Sequence, residues 1–295
     1  MTGQAPASSQ TWEGDISLTL TQGPRGTRLT ESRHKGPLYV QKPFYPEGKD
    51  LAHLYLLHPP GGMVSGDTLK IQVRLNTSAQ GLITTPGAGR VYRARSNGRW
   101  QKQRVDIRVG PHCTAEWLPM ETIVFPNAKA DLATEIHLAE GAKVIAWDVV
   151  CIGLPAQGES FHHGHLNQSL KIFQQQRLQL LEKLLIDPEA PTSVVNAQSG
   201  LQGLPVSGYM VAGPFQVGSD NTGMLDTTLA ELRALRWQES ELNFPFAVTL
   251  VNGFVVIRCL ADCANRVRTL LEACWSILRP LLIQRSACAP RIWST

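Results

Sequence analysis

The 295-residue chain contains few charged residues and few cysteines. Charged residues make up 18% of it, against about 25% in a typical globular protein, and the net charge is +4. The cysteines are too sparse and irregular for a disulfide framework or a paired C-x-x-C zinc site, and they indicate reduced thiols. They are Cys113, Cys151, Cys259, Cys263, Cys274 and Cys288. A surface with few charges has more neutral or apolar area, which favours contacts with other proteins.

Several functional signatures are also lacking. The nearest approach to a phosphate-binding G-x-x-x-x-G-K-[ST] loop is residues 218–223, which are followed by Met224 instead of lysine. No G-x-S-x-G or H-E-x-x-H motif occurs, which argues against a serine hydrolase or a zinc protease. The first ten residues do not resemble a signal peptide, and no apolar run approaches the roughly 18 residues that span a bilayer. We therefore expect a soluble, cytoplasmic protein that hydrolyses no nucleotide itself.

Alternating apolar and polar residues predict β-strands over most of the chain. The clearest case is residues 68–75, where Leu69, Ile71, Val73 and Leu75 alternate with polar residues. The pattern recurs at Val105, Ile107 and Val109, at Lys143, Ile145, Trp147 and Val149, and at Leu166, Leu170 and Ile172. No helix-length amphipathic segment occurs before about residue 220. The predicted fold is mainly β, with an antiparallel or coiled body, and not a βαβ fold.

The last quarter of the chain has a different character. Leucines at 225, 229, 232 and 235 predict a helix over residues 225–237. Asn252-Gly253, between two apolar runs at 246–251 and 254–260, predicts a β-hairpin. A second helix is predicted to begin at Asp262 as its N-cap and to be disturbed near Pro280. Before this region, residues 178–185 fit either a strand or a short helix, and residues 188–223 fit either a linker or short strands.

Residues 58–67, His-Pro-Pro-Gly-Gly-Met-Val-Ser-Gly-Asp, impose a backbone path. Residues before proline favour extended conformations, and glycine adopts positive φ at little cost. The segment is thus a shaped turn with the polar residues His58 and Asp67 at its ends. Taken alone, it either places these two side chains at a metal path or simply provides a turn that the fold requires.

Together with its flanks, residues 37–48 and 84–89, this turn resembles the urease accessory protein family called UreD or UreH. Residues 116–125, 151–161, 278–280 and 290–295 resemble further family landmarks in the family's order, so the resemblance spans nearly the whole chain. The chain departs from the family pattern at Ala52, Ser65, Met120, Pro126 and Leu154.

The resemblance implies a single domain over residues 1–295. It comprises a β-helix-like body of stacked sheets at about 12–220 and a helix, hairpin, helix and tail at about 221–295. It also implies a non-catalytic scaffold that binds apo-urease and, with the accessory proteins UreF and UreG, delivers nickel to the urease active site. Such a scaffold binds no cofactor tightly, and nickel is only in transit. Oxygen ligands and an occasional histidine suit transit, because clustered thiolates would trap the metal.

The resemblance also suggests residues for both tasks. The candidates for a transient nickel path are Asp67, Glu116, Glu121, Glu159 and His58. For Glu116, Glu121 and Glu159, a structural role in hydrogen-bonding the turns is equally compatible with the sequence. The candidates for contact with the helical partner UreF are Leu278, Arg279, Arg291 and Trp293.

Two alternative functions are consistent with parts of the sequence. A β-helix-like hydrolase would use paired carboxylates such as Glu116 and Glu121, or a metal held by His162, His163 and His165. The alternative is that these histidines bind no metal and lie in a solvated loop. A nucleic-acid-binding module would use the basic residues between Arg90 and Arg108, although partner docking explains that segment equally well.

Overall fold

The computed structural model describes residues 11–190, 193–215, 222–235 and 245–294. In chain order, the strands are β1 (Glu13–Gly23), β2 (Gly26–Lys35), β3 (Tyr39–Val40), β4 (Leu51–Leu57), β5 (Thr68–Leu75), β6 (Gln80–Thr84), β7 (Gly89–Val91), β8 (Gln101–Val109), β9 (Thr114–Trp117), β10 (Thr122–Val124), β11 (Lys129–Leu138), β12 (Lys143–Ile152), β13 (His165–Gln174), β14 (Arg177–Ile186), β15 (Val206–Gly213), β16 (Phe246–Val251) and β17 (Phe254–Ala261). The helices are α1 (Thr222–Ala234) and α2 (Ala264–Ile283), and short 3-10 helices occur at Pro155–Gln157 and Arg291–Ser294.

The strands form two sheets. A seven-stranded sheet has the order β14-β13-β11-β8-β5-β1-β2, and a ten-stranded sheet has the path β16-β17-β15-β12-β9-β6-β4-β3 with β7 and β10 beside it. The pairs along β13-β11-β8-β5-β1 of the first sheet and along β12-β9-β6-β4 of the second are parallel, because the chain passes to the other sheet between successive strands of one sheet. Beyond β12, the pairs β12–β15 and β15–β17 are antiparallel. Antiparallel pairs occur towards the edges, as in β1 with β2 and β13 with β14.

The predicted mainly β class, with stacked sheets and a small C-terminal helical portion, is confirmed. The more specific β-helix-like description and the single-domain boundaries stay predictions. The expected division near residue 220 falls at residues 216–221, outside the described part of the chain. The hairpin β16–β17 beyond that division pairs with β15, so the ten-stranded sheet includes strands from both portions.

Two apolar clusters lie on the two faces of the ten-stranded sheet. One fills the space between the sheets and includes Ile16, Ile71 and Ile107, and the other packs this sheet against α1 and α2. Strand β12 contributes to both: Val144 and Ala146 face the first cluster, whereas Ile145 and Trp147 face the second. The predicted burial of Ile145, Trp147 and Val149 is confirmed, and the alternate positions of β12 are also mostly buried.

The predicted hairpin at Asn252-Gly253 is confirmed, as is the half-buried strand at Thr68–Leu75. Residues 178–185 form part of strand β14, and residues 188–223 contain β15. The first predicted helix is α1, and the end predicted at Trp237 lies outside the described residues.

Helix α2 begins one residue later than predicted and continues past Pro280. Its N-cap is Cys263, without a side-chain cap, because the Asp262 carboxylate accepts hydrogen bonds from Arg266 at 2.9 Å instead. The helix continues through Pro280 to Ile283, and its C-cap is Gln284, which has a left-handed backbone with φ of 58°. Within the described residues, no helix has the length and apolar character needed to cross a bilayer.

Candidate functional site

The turn at residues 58–67 is built by its glycines and by Asp67. Gly61 has φ of +75°, and a Cβ at Gly62 would lie 2.5 Å from the ring of Tyr92, so neither position readily accepts a side chain. The buried Asp67 carboxylate accepts hydrogen bonds from the backbone N–H groups of Trp12 at 3.1 Å and Val64 at 2.9 Å. Asp67 therefore holds the turn, which leaves its oxygens occupied.

A cavity of about 200 Å³ lies between this turn and the segment around residues 85–90. Most of its wall is apolar and includes Leu56, Met63 and Trp117. The polar residues of its lining are His58, Thr85, Arg90, Gln103, Thr122, Thr134 and Asp148. It reaches the surface at Gly87, Gly89 and Arg90, which are the exposed residues of the lining. Polar groups thus extend from the surface into an apolar interior.

Asp148 lies on β12 and lines this cavity. Burial raises the pKa of its carboxyl group to about 6, although the nearby side chains of Gln168 and Tyr209 and the backbone N–H of Val149 act in the opposite direction. Nε2 of Gln168 and the Tyr209 hydroxyl have no hydrogen bond of ordinary geometry within the described structure. Gln168 and Tyr209 are therefore the polar side chains that surround this carboxylate in the interior.

Gln168 and Tyr209 also line a second cavity, of about 500 Å³. Its wall includes Glu182 and Arg258, which form an ion pair with a 2.8 Å contact between Oε2 and Nε. Asp148 lines the first cavity and interacts with two residues of the second. Because the three side chains lie between the two cavities, they form a polar link between them.

His58 also lines the first cavity. Burial lowers the pKa of His58, and the Asp67 charge partly counteracts this effect. Its imidazole is thus favoured in the neutral form, which is the form that binds metal ions.

A second group of buried polar residues surrounds Glu116. Its carboxylate accepts hydrogen bonds from Trp275 Nε1 at 2.7 Å and from Arg279 Nε and Nη2 at 3.0 Å. Arg279 also donates to both carboxylate oxygens of Glu47, at 2.7 and 2.8 Å, and Glu47 contacts His53 Nε2 at 2.8 Å. Glu116, His53 and Arg279 are fully buried. Glu116 is therefore a structural ion-pair partner in this conformation.

The charges of this network stabilise one another. Burial alone would raise the pKa of Glu47, but the hydrogen bonds from His53 and Arg279 outweigh it and lower that pKa. Burial likewise opposes the charge of Arg279, but Glu47 and Glu116 raise its pKa. Glu47 precedes β4, Glu116 lies on β9 and Arg279 lies on α2, so the network connects the helix with the ten-stranded sheet.

The other predicted metal residues lie apart from this network. Glu159 is exposed, and its backbone bridges to Leu154. Glu121 is half-buried, and its backbone carbonyl accepts a hydrogen bond from Gly89 at 2.8 Å. The five predicted residues are therefore distributed over several places, and the described part of the chain contains no group of three or more His, Cys, Asp or Glu side chains that could hold a metal ion.

The histidine loop is partly engaged with acidic residues. His163 Nδ1 lies 3.0 Å from Glu189 Oε1, and His165 Nδ1 lies 3.6 Å from Asp187 Oδ2. His162 is exposed. This arrangement agrees with the solvated-loop interpretation, because His163 and His165 contact two different carboxylates and do not converge on a common point.

Three of the four predicted partner contacts lie inside the protein. Leu278 and Arg279 are fully buried, and Trp293 is 9% exposed, with its Nε1 donating to Thr84 Oγ1 at 2.8 Å. Trp293 also packs against Trp147 and Trp275. Only Arg291 of this set is exposed. Of the four residues, only Arg291 is therefore accessible to a docking partner. The other three stabilise α2 and the tail.

The sequence did not single out Asp148, Glu47 or His53. A signal for Asp148 was present, because it is the only charged residue in the apolar run 144–152. A charge in a strand buried on both faces requires a polar neighbour or a cavity. His53 carries a similar signal, since it is the only residue in the buried apolar strand Leu51–Leu57 whose side chain titrates near neutral pH. No such signal marks Glu47, because its partner Arg279 is 232 residues away in the sequence.

The sequence of this chain is similar to those of known proteins. A family model described as UreD urease accessory protein matches residues 13–294. The urease accessory protein UreD of Marinomonas sp. strain MWYL1 is 45% identical over 284 residues, covering 96% of this chain and 90% of that protein. The UreD proteins of Citrobacter koseri and Pseudomonas aeruginosa are 37% and 39% identical, covering 96% of this chain and 92% and 95% of theirs. The chain belongs to the UreD family of urease accessory proteins.

Proposed function

We propose that this protein is a non-catalytic scaffold for urease maturation in the cytoplasm, which binds apo-urease and acts with UreF and UreG to deliver nickel. The observation that carries the proposal is the family match over residues 13–294, together with relatives named urease accessory protein UreD. The name implies a role in urease maturation, and the particular partners and the nickel cargo are the finer part of the proposal.

The interior suggests where nickel would pass. His58 and Asp148 line one cavity, and Asp148 links it to the second cavity through Gln168 and Tyr209. Carboxylate, hydroxyl and amide oxygens hold a divalent cation without the strong retention that thiolates give. We therefore assign the transient nickel path to His58 and Asp148. Asp67 holds the turn beside this cavity through its two backbone hydrogen bonds, and Glu116 belongs to the separate network with Arg279, so neither is part of the assigned path.

The protonation state of Asp148 suits the transient binding of a cation. With a pKa raised to about 6, Asp148 is mostly ionised at neutral pH, but its charge has no full counter-charge nearby among the described residues. A cation that reaches the cavity would compensate that charge, and it would leave again because a single carboxylate is a weak site. A transfer path needs this balance between binding and release.

The test is Asp148→Asn, co-expressed with apo-urease and the other accessory proteins under limiting nickel. The amide keeps the shape of the side chain but removes the charge, so we expect nickel per urease active site to fall roughly tenfold while the accessory complex still assembles. Asp226→Asn, an exposed position on α1, is the matched control and should leave nickel loading unchanged.

Two results would count against the proposal in different ways. Full nickel loading with Asp148→Asn would remove this carboxylate from the path but leave the scaffold role standing. Full nickel loading in cells that lack the whole chain would refute the scaffold role itself.

A further inference from the structure

We propose that four arginines beside the cavity mouth form a docking surface for an acidic protein surface. They are Arg90, Arg93, Arg95 and Arg99, and we call them the arginine collar. All four are exposed. Within the described residues none of the four forms an ion pair with a carboxylate, whereas Arg104 pairs with Asp131 and Arg108 with Asp106. The collar therefore carries positive charge that the fold itself does not neutralise.

The backbone of the collar is held in place by hydrogen bonds to neighbouring segments. The Arg95 N–H donates to Ser65 Oγ at 2.7 Å, and the Arg90 carbonyl accepts from the Met63 N–H at 2.8 Å. The Ala94 N–H donates to the Asn127 carbonyl at 2.9 Å. A fixed backbone reduces the entropy that is lost when a partner binds. The backbone that carries the four side chains is thus ordered before a partner binds.

The aromatic residues of this segment favour a protein partner over a nucleic acid. The Tyr92 ring packs edge-on against Phe125 with centroids 5.0 Å apart, and Trp100 stacks on His165 at 5.8 Å. Binding of single-stranded nucleic acid relies on aromatic rings on which bases can stack. Since both rings are engaged within the fold, the collar offers guanidinium groups without such a platform.

Guanidinium groups are suited to carboxylates. Each can form two parallel hydrogen bonds to an Asp or Glu side chain, which gives orientation as well as attraction. Complementary charge also increases the rate of association and weakens as salt screens it. Because Arg90 lines the cavity, a partner bound to the collar would lie at the cavity mouth.

The test uses the full chain and two labelled probes, a polyglutamate peptide and a single-stranded RNA of equal length, and no urease component. Its outcome is thus independent of the proposed function. The collar variant is Arg93→Glu, Arg95→Glu and Arg99→Glu. The control variant is Arg25→Glu, Lys35→Glu and Arg177→Glu, which changes three exposed positions elsewhere and produces the same net charge. Urea midpoints equal to that of the wild type verify that both variants are folded.

We expect the wild type to bind polyglutamate with an affinity that falls as salt rises. The collar variant should lose about tenfold or more of this affinity, and the control variant less than about threefold. Equal losses in the two variants would show an effect of net charge alone and overturn the proposal. A wild type that does not bind polyglutamate, or a collar that binds RNA more tightly than polyglutamate, would overturn it as well.

Discussion

Single residues show most directly how this fold uses polar groups in its interior. Asp67 and Asp148 are both carboxylates next to the same turn-and-cavity region, but they have different surroundings. Asp67 accepts hydrogen bonds from two backbone N–H groups and does not line the cavity. Asp148 lines the cavity, and burial raises the pKa of its carboxyl group. Of these two carboxylates, only Asp148 therefore borders a space that a cation could enter.

The raised pKa of Asp148 predicts a dependence of stability on pH. The folded pKa is about 6 and the reference value is 3.8, so the folded state binds more protons than the unfolded state between these values. The contribution of Asp148 to the free energy of unfolding therefore decreases as pH rises from about 4 to about 6, by at most about 3 kcal/mol.

Asp148→Asn removes this titration. The variant should be as stable as the wild type at about pH 4 and more stable by about 1–3 kcal/mol at about pH 7. Urea unfolding of both proteins over this pH range measures the difference, in which titration of the other groups cancels. A difference that stays constant with pH would mean that Asp148 does not titrate as its surroundings require.

The sequence could identify several acidic residues near functional segments, but not their roles. Glu116 is a candidate for the nickel path for which a structural role is equally compatible with the sequence, and Trp275 and Arg279, about 160 positions later, hold its carboxylate. Asp148 was overlooked, since its importance follows from a cavity between two sheets. The role of a carboxylate depends on which groups surround it, and these come from distant parts of the chain.

At the scale of elements, local patterns predicted the strands well. Alternation identified β5, and Asn252-Gly253 identified the β16–β17 hairpin, because both signals lie within a few consecutive residues. The parallel partners of β5, which are β1 and β8, were not predictable, since this pairing depends on how the chain passes between the sheets. The continuation of α2 past Pro280 to Ile283 depends on the tertiary packing of Leu278, Arg279 and Leu282.

Pro280 in the last turn of α2 provides a test of that extension. Leu278, Arg279 and Leu282 around it are buried, whereas Pro280 itself is exposed. The packing of these neighbours keeps the helix intact although the proline lowers the stability of its last turn. Proline cannot donate the hydrogen bond to the Ser276 carbonyl that another residue would make. Pro280→Ala should restore this bond and raise the free energy of unfolding by about 1–2 kcal/mol, after allowing for the greater freedom of the unfolded chain.

The measurement is urea unfolding of Pro280→Ala beside Pro24→Ala, an exposed proline in the turn between β1 and β2. The control lies outside any helix and should not be stabilised, because its proline restricts only the unfolded chain and the turn. Destabilisation of Pro280→Ala would contradict the explanation, since it would mean that the proline ring contributes more than the missing bond costs.

At the scale of the whole molecule, three layers share one central sheet. The ten-stranded sheet contacts the seven-stranded sheet on one face and the helices on the other. The network of Glu47, Glu116 and Arg279 crosses from this sheet to α2 and joins residues separated by up to 232 positions. Arg279 also donates to the Ser286 carbonyl, beyond the end of α2. One arginine thus connects the sheet, the helix and the tail.

This arrangement predicts a large and specific effect of removing Arg279. Arg279→Met would leave the carboxylates of Glu47 and Glu116 buried without their cation, and Glu116 is fully buried. We expect a loss of about 3–5 kcal/mol in the free energy of unfolding, measured by urea unfolding. Arg266→Met, which breaks the exposed pair with Asp262, should cost less than about 1 kcal/mol.

A further variant separates charge from packing. Adding Glu47→Gln and Glu116→Gln to Arg279→Met removes the two uncompensated charges, so the triple variant should be more stable than Arg279→Met alone by about 1–3 kcal/mol. If the triple variant were no more stable, the lost contacts of the arginine stem with its surroundings, and not the buried charges, would explain the cost. The recovery is expected because a buried carboxylate without a partner is more unfavourable than a buried amide. Arg279 therefore stabilises the contact between the sheet and α2 mainly by compensating the charges of Glu47 and Glu116.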